Sequence, residues 1–504
     1  MKKTDAVISS MLLILLAGLL VIGGSGPAAA DGKLDVGYTA LQNELGSNLP
    51  TGAGVKVTQL EGAAGKPDPS DAQFAGKTFT VKTSYLTVAW HATYVGQLFY
   101  GLSSSMAPGI TSIDCYDSAY WRSSFLGEGT STPLISTSRV ANHSYIGSST
   151  SATNIPYLAR LDWVVARDEY IQVVGMNNGG SNVPLMGSSF NAIAVGLSNG
   201  SAAHGSYPLA TTPTTPYASD SRTRPDLVAP EGATSWATPM VASAAALLVA
   251  AGHQGGNTLS TDPSVKFTTN RNGDTIYNAE RSEVVKAALM AGASRTSPNL
   301  TNSVTPNGYT VNTANGLNNI YGAGQLNISN SYHLIAAGEQ NSLEDFASGG
   351  GEIKSVGFDY DPSFGGLNGS NKKGSYVFKA LTTGSLSASL VWNLNVKGVI
   401  TGGFDTSATL YHLGLYLYDT TSSLELAYAT SLVDNTENIW WTNLIANHDY
   451  LLQVTANQSD FLWDYGLAWN ITGETTHAPL PSTVYLLGSG IVVIVFLRRK
   501  RRVS

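Results

Sequence analysis

Apolar positions along this chain follow two different periods, and the change from one to the other divides it. In the first part, short apolar runs at 55–60, 139–142, 171–174 and 192–195 predict strands. Between and after them, residues 91–100, 155–167, 235–251 and 283–290 carry apolar positions at helical spacing. In the second of these helices Leu158, Leu161 and Val165 share one face. Alternation of this kind predicts an α/β domain: a parallel sheet with helices on both faces. Ligands of such sheets bind beyond the carboxyl ends of the strands, which is where Glu61 and Asn177 fall.

From about residue 352 the period becomes two. Leu386, Ala388, Leu390 and Trp392 alternate with polar residues, as do Leu413, Leu415 and Leu417, then residues 450–455, then Leu467, Trp469 and Ile471. This predicts an antiparallel β-sandwich over 352–474 behind a first domain at 31–345. Ser348 and the glycines at 349–351 mark the joint. Trp392, Trp440, Trp441 and Trp469 have the shape to stack on glycans, but their positions favour the core, and no ligand is assigned to this module.

The helix predicted from 235 onward opens on the chain's most informative stretch, Ala233-Thr234-Ser235-Trp236-Ala237-Thr238-Pro239. A serine in a first helical turn sits among unpaired backbone N–H groups and the positive end of the helix dipole, which favour developing negative charge. A catalytic serine needs that setting. Pro239 is expected to be tolerated there as a first-turn residue. The plain alternative is a buried helix capped by Thr234, with Val241, Ala244, Ala245 and Leu248 as its apolar stripe.

Together with the preceding Pro225-Asp226-Leu227-Val228-Ala229-Pro230, this stretch resembles the serine motif of subtilisin-like serine proteases, Gly-Thr-Ser-x-Ala-x-Pro, with Ala233 in place of the glycine. The segment opening at His91 resembles the family's histidine motif, with Ala92 for its first glycine, and residues 105–109 resemble the Val-Ala-Pro segment that follows. The resemblance implies His91 as the general base; His143, beside a predicted strand end, is the second choice. The strand at 55–60 leads into Glu61, where the family has its triad aspartate. Glutamate is chemically competent to bind imidazole N–H but reaches one methylene further. Either the backbone absorbs that length, or Asp68 or Asp71 substitutes, or the triad is impaired. Gly175-Met176-Asn177-Asn178-Gly179 resembles the oxyanion-asparagine motif; aligned on the glycine, Asn177 takes the donor position, with Asn178 the alternative. The order carboxylate, histidine, serine is the subtilisin order. Similar segments at 140–147, 282–290 and 321–327 extend the resemblance from about 37 to 337.

Composition narrows the picture further. The chain has 504 residues, only 12% of them charged, and a formal net charge of −7, with no basic stripe before its C-terminus. A nucleic-acid partner is not expected. Cys115 is the single cysteine, which excludes an intramolecular disulfide and a cysteine metal cluster. No zinc motif, phosphate loop or dinucleotide fingerprint is present. No cofactor is therefore expected; the resemblance implies structural calcium, but no acidic loop marks a site.

Both ends carry processing patterns. Lys2 and Lys3, an apolar run at 11–22 and Ala28-Ala29-Ala30 form an export signal over 1–30. Pro479-Leu480-Pro481-Ser482, an apolar run at 484–497 and the basic residues 498–502 resemble a PEP-CTERM sorting signal over 478–504. That resemblance implies a Gram-negative bacterium, an exosortase-type partner, a membrane segment before processing, and a final place at the cell surface or in the extracellular matrix. The short span before the first strand leaves no room for the inhibitory propeptide that subtilisin-like proteases often carry. Taken together, the expectation is an exported serine endopeptidase acting on protein or peptide substrates. A degenerate, non-catalytic surface protein and a glycan-binding adhesin are the alternatives.

Overall fold

The computed structural model describes residues 32–476 except 210–214, 219–221, 302–307, 345–350, 366–370 and 458–460. The expected export signal (1–30), the sorting tail (478–504) and most of the glycine joint lie outside the described residues.

A seven-stranded sheet forms the first layer: β1 (Val57–Glu61), β2 (Thr78–Val81), β3 (Ser112–Asp117), β4 (Val140–His143), β5 (Ile171–Gly175), β6 (Ile193–Leu197) and β7 (Leu227–Ala229). The spatial order is β2-β3-β1-β4-β5-β6-β7, and every pairing is parallel. Every residue of β1, β4, β5, β6 and β7 is buried, so the sheet is covered on both faces, as a parallel sheet requires. The chain leaves β1, builds β2 and β3 on one side of it, then crosses to β4 on the other. The carboxyl end of β1 is thus a topological switch point.

Three of these strands escape the hydrophobic pattern for visible reasons. β2 is an edge strand with two exposed threonines, β3 carries Asp114 and Asp117, and β7 is three residues long. The longer helices are α1 (Trp90–Tyr100), α2 (Ser151–Asp168), α3 (Thr234–Gly255), α4 (Ser282–Gly292) and α5 (Ile328–Ala336), beside shorter ones such as Tyr38–Leu45. α3 is apolar all round because it runs through the core, packed on β4, β5, β6, β7 and α1.

The structure corrects the expectation for Pro239, which lies a turn further into α3 than the first. There its missing N–H deprives the Ser235 carbonyl of an intrahelical partner. The Ser144 hydroxyl, just past β4, donates to that carbonyl instead at 3.0 Å.

The second layer is antiparallel. Its strands are β8 (Val356–Phe364), β9 (Lys373–Ala380), β10 (Gly384–Val391), β11 (Asn395–Ile400), β12 (Gly403–Thr409), β13 (Leu413–Asp419), β14 (Leu424–Ala429), β15 (Thr436–Leu444), β16 (Asp449–Ala456), β17 (Trp463–Thr472) and β18 (Thr475–Thr476). A four-stranded sheet, β8-β17-β10-β15, faces a five-stranded one, β14-β13-β16-β9-β18, across a shared core. Trp392 and Trp469 are fully buried in that core, and Trp440 and Trp441 are half-buried.

The sandwich does not hang free. In β17, Leu467, Trp469 and Ile471 point into the sandwich core, while Ala468 between them faces the other way and joins the core of the first layer. That outer face packs on α4. The approach is so close that a Cβ on Gly466 would lie 2.8 Å from the backbone nitrogen of Val284. The hairpin β11–β12 lies on α2, with Phe404 edge-on to Trp163 at 5.2 Å. Asn191, just before β6, accepts from the Leu394 N–H at 2.7 Å and donates to the Asp162 carbonyl at 2.8 Å.

Candidate active site

β1 delivers Glu61 to the switch point with its side chain on the same side of the strand as that of Gln59, two residues earlier. α1 begins one residue before His91. The His91 Nδ1–H donates to Glu61 Oε2 at 2.8 Å. The other carboxylate oxygen accepts from Gln59 Nε2 at 2.8 Å, and the same amide donates to the Ala92 carbonyl at 2.8 Å. The Tyr100 hydroxyl donates to Gln59 Oε1. Both oxygens of Glu61 are therefore held, one by the imidazole and one by an amide that also ties β1 to α1. The additional methylene is absorbed without any other acid being recruited.

The electrostatics follow from this geometry. Burial pushes the Glu61 carboxyl up, and the hydrogen bond from His91 offsets part of that rise. The bond to Glu61 holds the imidazole above its ordinary value, against the partial burial that would lower it. With Nδ1 committed to the carboxylate, Nε2 is the nitrogen left for chemistry.

α3 brings Ser235 to the same end of the sheet, second in its first turn. Trp236 rests on His91, ring centroids 5.0 Å apart, so the start of α3 and the start of α1 are in contact. The carboxyl ends of two strands hold that first turn. From β4, Ser144 takes the Ser235 carbonyl, and Asn142 Nδ2 donates to the Ser144 hydroxyl at 2.9 Å. From β5, Asn178 Oδ1 accepts the Thr234 N–H at 2.7 Å, and the Thr234 hydroxyl lies 2.7 Å from the Met176 carbonyl. Ala233 precedes the helix with φ −150° and ψ 150°, extended backbone that any residue adopts, so alanine in place of the glycine brings no strain.

The two asparagines are separated by what they touch. Asn177 donates its amide to the Ser181 carbonyl at 3.0 Å, within its own loop. Asn178 turns onto α3, with its oxygen engaged by Thr234 and its NH2 at the other end of the amide. Of the two asparagines the sequence offers, Asn178 is thus the one in contact with the serine helix, while Asn177 stays within its own loop. The count from the glycine does not include how the backbone turns after Gly175.

The remaining sequence candidates lie elsewhere. Asp68 accepts from Ser70, and Asp71 caps a short turn while accepting from Gln97 Nε2. His143 is buried between Gln172, at 2.7 Å, and Tyr145, and burial drives its imidazole down to about 4. Among the described residues no group of three or more His, Cys, Asp and Glu side chains is arranged to hold a metal. Cys115 is buried, which raises its thiol to about 12.

Gln59, Ser144 and Trp236 were not singled out from sequence. Gln59 had a signal, since it shares a strand face with Glu61. Ser144 had none, because its partner is a carbonyl freed by a proline in another element.

No family model matches the chain, and no curated protein does. Among solved structures it is similar to a mutant of the protease domain of PatA, at 16% identity and TM-score 0.34, over 57% of this chain and 98% of that one. It is also similar to the prenylagaramide maturation protease PagA, at 15% identity and TM-score 0.37, over 60% of this chain and 99% of that one. Likeness at this level carries little weight beside the sheet order and the carboxylate–imidazole pair, which stand on their own.

Proposed function

We propose that this chain is a serine peptidase with Ser235, His91 and Glu61 as its triad. The observation that carries the reading is the bond from Glu61 to His91 Nδ1, made where the helix bearing Ser235 begins. His91 Nε2 takes the Ser235 proton as Oγ attacks the peptide carbonyl. The N–H of Ser235 and the NH2 of Asn178 receive the oxyanion, as donors at a helix start do. Collapse of the tetrahedral intermediate breaks the C–N bond, and the amine leaves with the proton from His91. Water then adds to the acyl-enzyme by the same route and releases the acid. Glu61 fixes the imidazole tautomer and stabilises the imidazolium.

Two features support this reading over a degenerate scaffold. Glu61 reaches His91 despite its length, and Ala233 sits in unstrained backbone. The peptidase acts outside the cytoplasm in this reading, exported by residues 1–30 and sorted by an exosortase-type enzyme through residues 478–504. A fluorophosphonate probe tests the chemistry. The expected result is one adduct, located on Ser235 by mass spectrometry and lost in both Ser235→Ala and His91→Ala. No labelling of folded wild-type protein would overturn the reading.

A further inference from the structure

The mechanism leaves one conspicuous group of side chains unused. Trp90, immediately before His91, is 73% exposed, an unusual position for an indole. It stacks on Tyr94 with centroids 5.9 Å apart and planes within 2°. Trp236 meets both edge-on, at 5.7 Å from Trp90 and 4.7 Å from Tyr94, and itself rests on His91. Residues on two helices thus build a continuous aromatic ledge that begins at the imidazole and ends in solvent.

The position of this ledge follows from proton bookkeeping. His91 must hand its proton to the departing amine, so that amine sits within hydrogen-bond reach of the imidazole. The acyl half of the substrate lies towards β5, where Asn178 and the Ser235 N–H receive the oxyanion. The first residue of the leaving fragment then lies on the other side of the imidazole, against the ring of Trp236. We propose that Trp90, Tyr94 and Trp236 select the residue immediately C-terminal to the scissile bond, and that they favour an aromatic side chain there. An aromatic ring gains both buried area and edge-to-face contact on such a surface, whereas a small or acidic residue gains neither. Neither Trp90 nor Tyr94 is needed for the triad itself. This assignment rests on the peptidase reading for its direction, but it is tested without turnover.

The experiment uses full-length Ser235→Ala protein and two dipeptide amides that represent the leaving fragment, Phe-Ala-NH2 and Ala-Ala-NH2. Binding is followed by quenching of tryptophan fluorescence and by calorimetry. The phenylalanine peptide is expected to bind about tenfold more tightly, which corresponds to the upper range for a single aromatic pair. Adding Trp90→Ala should abolish that ratio, and adding Trp90→Phe should restore most of it. Equal affinity for the two peptides, or a ratio indifferent to Trp90→Ala, would overturn the proposal. These outcomes do not depend on probe labelling of the wild type, so a failed ledge and a failed peptidase give different results.

Discussion

At the scale of single residues, the decisive contact is the hydrogen bond from His91 to Glu61, which the proposed mechanism uses to orient the base. The reach of Glu61 is made productive by Gln59, which fixes the second carboxylate oxygen and leaves the first aimed at His91. A base held this way has a pH signature. Protonated imidazolium is favoured by Glu61, so His91 stays charged to higher pH than an isolated histidine, whose ordinary value is about 6.5. In the proposed mechanism only neutral His91 accepts the serine proton, so kcat/KM should fall as pH drops through a midpoint above that value. Glu61→Gln removes the charge and should shift the acid limb downward while lowering kcat by about 10⁴-fold. A pH–rate profile of the two proteins reads both effects. A limb that does not move in Glu61→Gln would show that another group governs it.

Among elements, the site is made where two helix starts meet three strand ends. α1 and α3 supply the histidine and serine, while β1, β4 and β5 hold them in place. The different contacts of Asn177 and Asn178 belong to this scale, because they depend on how the loop after β5 turns towards α3. Asn178→Ala should lower kcat by about 10²–10³-fold, the usual cost of one oxyanion donor. It should also lower the melting temperature, since the Thr234 N–H loses its cap. Asn177→Ala removes only a contact within the loop and should leave kcat within about threefold of wild type, as a substitution away from the reacting atoms does. Steady-state kinetics with thermal melts on both variants separate them. Equal losses would return the donor role to the loop as a whole.

For the molecule as a whole, the sandwich and the parallel-sheet layer are joined too closely to behave as beads on a string. The outer face of the four-stranded sheet shares a core with α4, and Gly466 is a point of near-contact between β17 and that helix. Gly466→Val places atoms where the Val284 backbone already lies. It should destabilise by about 1–3 kcal/mol, the usual cost of overpacking. Calorimetry should show one cooperative transition for the wild type and a lower midpoint for the variant. Two independent transitions with an unchanged first midpoint would show that the layers fold separately.

The sequence alone determined the alternation of strand and helix, the later change to period two, and the local settings of the key side chains. Glu61 at a strand end, His91 at a helix start and Ser235 in a first turn each follow from short-range periodicity and capping chemistry. Those signals act over a few residues, so they survive in a linear reading. What only the tertiary structure decided involves partners far apart in the chain. The bond across 30 residues from Glu61 to His91, the rescue of the Ser235 carbonyl by Ser144, and the turn that sends Asn178 to α3 are of this kind. The edge strand β2 and the short β7 belong there too, since exposure of one and the three-residue length of the other hide them from a hydrophobic-period reading, and pairing with neighbours defines them. Period and propensity are properties of neighbours along the chain; register and hydrogen-bond satisfaction are properties of neighbours in space.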